Sequence, residues 1–296
     1  MSSSLTHSGR LIDVDVHIKA PPKRVFAAWA EPEQIARWFV DQAEGRPAVG
    51  KAIYWTFEAF GVRHPVPVVE VVEGRRLCFG GDLYGRPAFL QELTFDPEDG
   101  GTRFRLLNSG FGDGEEWDDE FAAVESGWHL ALQTLKTWLE RDVEHPRRHL
   151  LQMRPAVFEF DAVHADYHTL EGLRRWVAED GVVDGDSSAA ELQPGSALRW
   201  TVDDRVEVEA TVLVRTAREV LLDWPAANGL LALKCFTMQG KQRAVCLDLN
   251  AWPLPKGWDR RLERWMTLAL NRLVNRLEGL GPARLVETRR DRPKFL

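Results

Sequence analysis

The chain contains one helical segment twice, and this repetition limits its fold more than any other feature of the sequence. The segment ESGWHLALQTLKTWLE at 125–140 returns 138 residues later as ERWMTLALNRLVNRLE at 263–278. The two copies share a glutamate at each end and a series of leucines between them. Self-similarity at a fixed offset indicates that one structural unit has been repeated along the chain.

Shorter landmarks recur in the same order, with offsets that small loop insertions would explain. At 296 residues the chain is long enough for two domains of ordinary size. We therefore predict a tandem duplication with a junction near 143–155, a first domain at 1–145 and a second domain at 150–290. The recurring landmarks are EQIARWF at 33–39 with EGLRRWV at 171–177, GKAIYW at 50–55 with GSALRW at 195–200, and the tryptophan pairs Trp38 with Trp176, Trp55 with Trp200, and Trp117 with Trp258.

The composition is that of a globular protein, with 44% hydrophobic and 28% charged residues. A net charge of −7 gives no global attraction to nucleic acid or to an anionic membrane. The first ten residues, MSSSLTHSGR, lack the apolar run of a secretory signal, and no apolar stretch is long enough to span a bilayer. We therefore predict a cytoplasmic protein that binds neither nucleic acid nor membrane.

The sequence pattern of the first half of the chain predicts a strand, two short helices, several strands and a long helix. LIDVDVHI at 11–18 alternates apolar and polar residues, which is typical of a half-buried strand. Pro21 and Pro22 open a short helix, and Pro32 separates it from a second one. Further strand-like runs follow, the last two of them joined by a turn at 98–101, before the apolar stripe of the long helix. This order predicts an α+β fold in which a curved antiparallel sheet packs on one helix.

Three separated motifs together resemble the START-like superfamily, in particular domains similar to the C-terminal domain of the activator of the heat-shock-protein-90 ATPase. The motifs are APPKRVFAAWAEPEQIARWF at 20–39, NSGF at 108–111 and the helix at 125–140. They occur in the expected order and cover about residues 10–142, whereas over 150–290 the resemblance depends on the internal repeat. The resemblance implies two tandem helix-grip domains, each a curved antiparallel sheet wrapped around a long C-terminal helix.

The resemblance also implies a hydrophobic cavity between the long helix and the concave face of the sheet. Members of the superfamily bind lipids, hormones and polyketides, and some catalyse cyclisation or hydrolysis in that cavity. We therefore predict that the first domain binds an apolar small molecule. Two alternatives stay open: an enzyme of the polyketide cyclase or dehydratase type, and a co-chaperone-like module with a chaperone as its partner.

Aromatic side chains and one amide are the candidate ligand-binding residues of the first domain. Trp55 and Phe57 alternate onto one face of their strand, which we expect to face the helix stripe bearing Trp128. Asn108 would either orient a ligand by hydrogen bonding or cap a turn before Ser109, and the rings would also suit an ordinary core. The predicted ligand-binding residues are Trp38, Trp55, Phe57, Phe79, Asn108, Phe111 and Trp128.

The two long helices differ at one position, where the first has Gly127 and the second has Trp265. Glycine inside a helix costs about 1 kcal/mol relative to alanine, which indicates either close approach of the sheet or room for a ligand. Our hypothesis is that the second domain has filled its cavity with its own side chains and acts as a scaffold. The first domain would then keep an open pocket.

No catalytic signature, metal site or cofactor site is predicted. The sequence lacks a Gly-rich phosphate loop, a G-x-S-x-G elbow and a Cys/His nucleophile arrangement. His164 and His168 have i, i+4 spacing without the Glu-x-x-His context of a zinc site. The cysteines form no C-x-x-C pair and lie in apolar runs, so we expect them to be buried and inert: Cys78, Cys235 and Cys246.

Overall fold

The computed structural model describes residues 7–83, 86–185, 191–237 and 242–279. The chain divides into two compact units, with the boundary between Glu144 and His145. Within the described residues each unit has a single seven-stranded antiparallel sheet, two short helices after its first strand, and a long helix as its last element. The predicted α+β architecture of two tandem helix-grip domains is confirmed.

The first domain begins with a strand whose alternation follows the sequence pattern, since Ile12, Val16 and Ile18 are buried. Pro22 is the first residue of the helix that follows, where its missing N–H costs nothing. The described elements are β1 (Arg10–Ile18), α1 (Pro22–Ala30), α2 (Pro32–Ile35), β2 (Gln42–Glu44), β3 (Ala52–Phe57), β4 (Val62–Val72), β5 (Arg76–Leu83), β6 (Arg86–Glu98), β7 (Gly101–Phe111) and α3 (Asp118–Glu140).

The second domain repeats this order of elements. Its core collects buried apolar side chains from the sheet and from one face of the final helix, which includes Leu262, Met266 and Leu270. The described elements are β8 (Arg148–Ala156), α4 (Phe160–His168), α5 (Leu170–Arg174), β9 (Val183–Gly185), β10 (Ala197–Asp203), β11 (Val206–Thr216), β12 (Glu219–Trp224), β13 (Gly229–Thr237), β14 (Arg243–Ala251) and α6 (Trp258–Leu277).

The two sheets have the same strand order, which confirms the tandem duplication. The first runs β1-β7-β6-β5-β4-β3-β2, and the second runs β8-β14-β13-β12-β11-β10-β9. Single hydrogen bonds are also repeated. The indole Nε1 of Trp38 donates to the carbonyl of Ala28 at 2.9 Å, and that of Trp176 donates to the carbonyl of Asp166 at 2.9 Å. The predicted equivalence of these two tryptophans therefore extends to their partners.

Each long helix lies against the first strand of its own domain, α3 on β1 and α6 on β8. The ends of the two helices are tied in the same way. A side-chain oxygen of Glu140 accepts a hydrogen bond from the backbone N–H of Lys19 at 2.9 Å, and one of Glu278 accepts from that of Val157 at 3.2 Å. The glutamate that closes both copies of the repeated segment therefore anchors the helix end to the chain just beyond the first strand.

Most of the segment predicted as the junction, 143–155, instead forms strand β8. Its arginines and proline suggested a linker, but β8 is the edge strand of its sheet. Pro155 is tolerated there because an edge strand leaves one row of backbone groups unpaired. Leu150 is buried, so the segment contributes to the core of the second domain. The last part of the predicted second domain, 280–290, lies outside the described residues.

The corner between α4 and α5 leaves no room for a side chain at Gly172. The Thr169 hydroxyl joins the two helices, since it donates to the carbonyl of Ala165 at 2.8 Å and accepts from the N–H of Gly172 at 2.9 Å. A Cβ at Gly172 would overlap the carbonyl oxygen of Ala165. Overlap with backbone cannot be relieved by rotating a side chain, so the corner would have to open.

We expect Gly172→Ala to lower the free energy of unfolding by about 2–3 kcal/mol, the upper part of the range for overpacking. Urea denaturation followed by tryptophan fluorescence would measure the change. Gly127→Ala is the matched control, because a Cβ at Gly127 meets no atom within 4 Å. That variant should gain about 1 kcal/mol from helix propensity. Equal stability of the two variants would contradict this account of the corner.

Candidate functional site

A cluster of aromatic rings occupies the interior of the first domain, between α3 and the sheet. The Trp55 ring on β3 lies 5.5 Å from Phe79 on β5 and 5.4 Å from Phe39, measured between ring centroids. Phe39 also stacks on Trp128 of α3 at 5.8 Å and on Trp38 at 5.2 Å. Phe39 and Trp29 each contact Trp38, Trp55 and Trp128, although the sequence analysis selected neither. Five of the predicted ligand-binding residues belong to this cluster: Trp38, Trp55, Phe57, Phe79 and Trp128.

A row of directly paired residues crosses the sheet beneath α3. Residues directly opposite each other on neighbouring strands point to the same face of a sheet. Asn108 shows which face this is, because its side-chain oxygen accepts a hydrogen bond from the indole Nε1 of Trp128 on α3 at 3.1 Å. In spatial order the row consists of Val68, Phe79, Gln91, Asn108 and Ile12.

Two neighbouring amides stand at the middle of this row, and both are buried. Asn108 is 1% exposed, and its Nδ2 donates to the carbonyls of Ser109 at 3.3 Å and Leu90 at 3.4 Å. Gln91 is 2% exposed, and its Nε2 has no hydrogen-bond partner among the described residues. A buried donor without a partner costs about 1–3 kcal/mol, so an acceptor that reached Gln91 Nε2 would stabilise the domain.

The alternative in which Asn108 caps a turn is wrong, because Asn108 lies within β7 and pairs there with Ile12 on one side and Gln91 on the other. The backbone stays extended at Asn108, so its side chain alternates toward α3 instead of folding back onto a turn. Gln91 is a functional candidate that the sequence analysis missed. The signal for it was present in FLQELTF at 89–95, where Gln91 takes the place of an apolar residue in the inward phase of the strand.

The equivalent row of the second domain is entirely apolar. Its residues pair in the same way across β11, β12, β13, β14 and β8, and none is more than 4% exposed. Leucines therefore occupy both positions at which the first domain has an amide. The row consists of Val212, Leu222, Leu231, Leu249 and Leu150.

The difference between Gly127 and Trp265 is partly compensated within each domain. In the first domain a ring from the loop after α2, Phe39, packs beside Trp55, while the helix carries Gly127. In the second domain the residue equivalent to Phe39 is Val177, and the helix supplies the ring. Trp265 lies 6.1 Å from Trp200 and donates to the carbonyl of Val177 at 2.6 Å.

The compensation at Gly127 is incomplete. A Cβ there would meet no atom within 4 Å, so close approach of the sheet does not explain the glycine. Gly127 is exposed, so the space beside it is open to solvent, and room for a ligand at this position stays a prediction.

Two predicted ligand-binding residues lie at the margin of the cluster. The Phe57 ring is partly exposed and meets the Phe39 ring edge-on at 5.6 Å. Phe111 is buried, but the ring contact at 5.1 Å that it makes is with Phe121, near the start of α3. The structure thus brings Phe57 to the edge of the cluster, and it places Phe111 at the far end of β7.

Comparison with known proteins supports the same classification. Residues 19–140 match the family described as Activator of Hsp90 ATPase homolog 1-like protein. The matched residues lie within the first domain, which is therefore similar to that family, and the second domain repeats the same helix-grip fold as a tandem duplication. No curated protein matches the sequence significantly.

Several solved structures resemble the chain at low sequence identity. Protein SSP2350 from Staphylococcus saprophyticus is 20% identical, with a TM-score of 0.41, and covers 45% of this chain and 93% of its own. The Aha1 dimer from Colwellia psychrerythraea is 20% identical, with a TM-score of 0.40, and covers 44% and 96%. DynU16, a protein of the dynemicin biosynthetic locus, is 18% identical, with a TM-score of 0.39, and covers 90% and 98%.

The described residues contain no group of three or more side chains placed to hold a metal ion. Among their helices, none combines the length and the hydropathy that a membrane span requires. The cysteines are buried thiols, as predicted. Burial raises the pKa of Cys78 to about 11 and that of Cys235 to about 12, so neither is a ready nucleophile.

The His164 and His168 rings pack edge to face at 4.1 Å in the second domain. Burial lowers the pKa of His168 from 6.5 to about 4, and the neighbouring charges of His164 and Arg215 add to the effect, while Glu191 opposes it. The folded protein therefore holds His168 neutral at pH values where an unfolded chain would protonate it.

We expect this histidine to destabilise the protein in acid. Because its folded pKa is depressed, the stability present above pH 6.5 is lost as the pH falls toward 4, by up to about 3 kcal/mol. His168→Gln should flatten the dependence of unfolding free energy on pH in this window, as measured by urea denaturation. His145→Gln, at an exposed position, should keep the wild-type slope. An unchanged slope in the His168 variant would contradict the assignment.

Proposed function

We propose that the first domain binds a small, mainly apolar molecule between α3 and the sheet. The unpartnered Nε2 of buried Gln91 is the observation that supports this most strongly, because a ligand oxygen would supply the missing acceptor. Asn108, paired with Gln91 across β6 and β7, would form the second part of a polar anchor. The aromatic cluster would surround the rest of the ligand.

The composition of this site is that of small-molecule sites in general. Such sites are lined mainly by apolar and aromatic side chains, with a few polar groups that orient the ligand. Burial of apolar ligand surface against the cluster would contribute about 25 cal/mol per Å². Trp128 of α3 is buried and holds Asn108 in place through its indole hydrogen bond.

The contrast between the domains separates this proposal from the view that the rings merely fill a core. The second domain closes its interior with leucines at both amide positions, so the fold itself does not require amides there. Two buried amides at these positions lower the stability of the first domain relative to leucines. A ligand that bonds to the amides would explain why they are present.

The chemistry of the site favours binding over the cyclase or dehydratase alternative. Proton transfer requires a titratable acid or base within hydrogen-bond reach of the substrate. The polar side chains that the row places beneath α3 are amides, which neither gain nor lose a proton near neutral pH. Binding in the first domain thus needs no group beyond those already described.

The test is a double replacement that gives the first domain the leucines of the second, Gln91→Leu with Asn108→Leu. Protein purified under native conditions would be compared with denatured protein by mass spectrometry, to detect a small molecule released on unfolding. We expect the wild type to carry such a molecule. The fraction of protein that carries it should be at least about tenfold lower in the double variant. Two lost hydrogen bonds of about 1 kcal/mol each account for a change of this size.

Gly127→Ala serves as the control, because it adds one methyl group in free space and leaves the amides intact. It should retain the bound molecule. A circular dichroism melt would show whether the double variant is folded, which we expect because leucine fits the same row in the second domain. Wild-type protein with no bound molecule, or full retention by the folded double variant, would contradict the proposal.

A further inference from the structure

A groove with a volume of about 520 Å³ opens in the second domain, along the flank of α6. This volume lies within the range of roughly 300–1,000 Å³ that is usual for small-molecule sites. The expectation that the second domain is only a scaffold did not anticipate it. One wall is α6, and the other includes Glu179 and the end of β10 at Val202 and Asp203.

Four arginines of α6 line this groove, in a chain whose net charge is −7. The lining carboxylates are Asp203 and Glu179. Asp203 is already engaged, because it forms an ion pair with Arg261. Positive charge therefore exceeds negative charge in the groove, which raises the local concentration of anions. The arginines are Arg260, Arg261, Arg264 and Arg272.

Arg272 is half-buried and held in a fixed orientation by backbone carbonyls. Its Nε donates to the carbonyl of Trp176 at 2.8 Å, and one terminal nitrogen donates to that of Val177 at 3.3 Å. No carboxylate of the described residues forms an ion pair with it. Burial lowers its pKa, and the charge of Glu179 acts in the opposite direction. Its remaining N–H groups make it a preorganised cation at the groove.

Arg260 and Arg264 lie one helical turn apart and are exposed. Neither has an ion-pair or hydrogen-bond partner among the described residues. Side chains at i and i+4 of a helix are neighbours, so these two guanidinium groups can approach one anion together. Guanidinium groups bind carboxylates and phosphates through two parallel hydrogen bonds, a geometry that lysine cannot reproduce.

The groove also offers apolar surface beside these charges. Trp265, Leu268 and Val202 contribute to its lining. Trp265 is held in place by its hydrogen bond to Val177. A ligand with a flat or alkyl body could cover this surface while its charged end meets the arginines.

The first domain has no counterpart of this arrangement. At the offset of 138 residues that relates the two long helices, its residues are small and uncharged. The arginines are thus specific to the second copy and are not required by the fold. The equivalent residues are Ala122, Ala123, Ser126 and Thr134.

We propose that the groove of the second domain binds an amphipathic organic anion. Its carboxylate or phosphate would lie between Arg260 and Arg264, and its apolar body would cover Trp265 and Leu268 in the direction of Arg272. This site is separate from the one proposed in the first domain, and neither depends on the other.

The test uses two fluorescent probes with the same apolar body, the anion 8-anilino-1-naphthalenesulfonate and the uncharged N-phenyl-1-naphthylamine. Both would be titrated into the full chain. We expect Arg260→Gln with Arg264→Gln to weaken binding of the anionic probe at least tenfold and to change binding of the neutral probe less than twofold. Displacement of the anionic probe by decanoate or by decyl phosphate would then identify the preferred head group.

Two control variants make the result specific. Arg103→Gln with Arg105→Gln changes the net charge by the same amount in the first domain and should leave binding of the anionic probe unchanged. Gln91→Leu with Asn108→Leu should also leave it unchanged, which separates this site from that of the first domain. The proposal would be overturned if the anionic probe did not bind the wild-type protein, or if neither decanoate nor decyl phosphate displaced it. It would also be overturned if the Arg103/Arg105 variant weakened binding of this probe as much as the Arg260/Arg264 variant, or if the Gln91/Asn108 variant lost it.

Discussion

The fold depends on one constraint: each seven-stranded sheet has a largely apolar inner face that helices must cover. An antiparallel sheet that is apolar on one side has to bury that side against another layer, which α3 and α1 provide in the first domain and α6 and α4 provide in the second. The closing glutamates Glu140 and Glu278, each bonded to the backbone just beyond the first strand, fix the helix ends. The residues between helix and sheet then decide whether the interior is sealed or can accept a ligand.

The two domains differ in the residues that lie between helix and sheet. The second has sealed the row beneath its helix with leucines and has placed arginines along the outer flank of α6. The first has kept two amides beneath its helix, a glycine on it, and small side chains where the second has arginines. The first copy thus keeps two amides in the row beneath its helix, while the second has leucines there and arginines on the outer flank of its helix. The fold is the same because its requirements, the alternating strands and the apolar helix stripe, are met in both.

The sequence predicted the duplication and most of the architecture, because apolar periodicity and repeated tryptophans are consequences of burial that remain visible without coordinates. Pairing partners were not visible in the same way. Gln91 is recognisable as a site residue only when the strand register places it beside Asn108. The segment that forms β8 was predicted to be a linker because it contains proline, which an edge strand tolerates. The role of Phe39 depends on a loop conformation that periodicity does not encode. From the sequence, the arginines of α6 are predicted to form an ordinary polar helix face. Only the structure shows that β10 and Glu179 form the opposite wall of a groove beside them.

The central claim is that the first domain keeps a ligand site which the second domain has closed. A crystal structure of protein purified without added ligand tests it most directly. The account predicts electron density for a small non-protein molecule between α3 and the sheet, with an acceptor atom within hydrogen-bond distance of Gln91 Nε2, and no such density beside Leu231 and Leu249. An interior of the first domain filled by its own side chains, with Gln91 bonded to protein, would contradict the account.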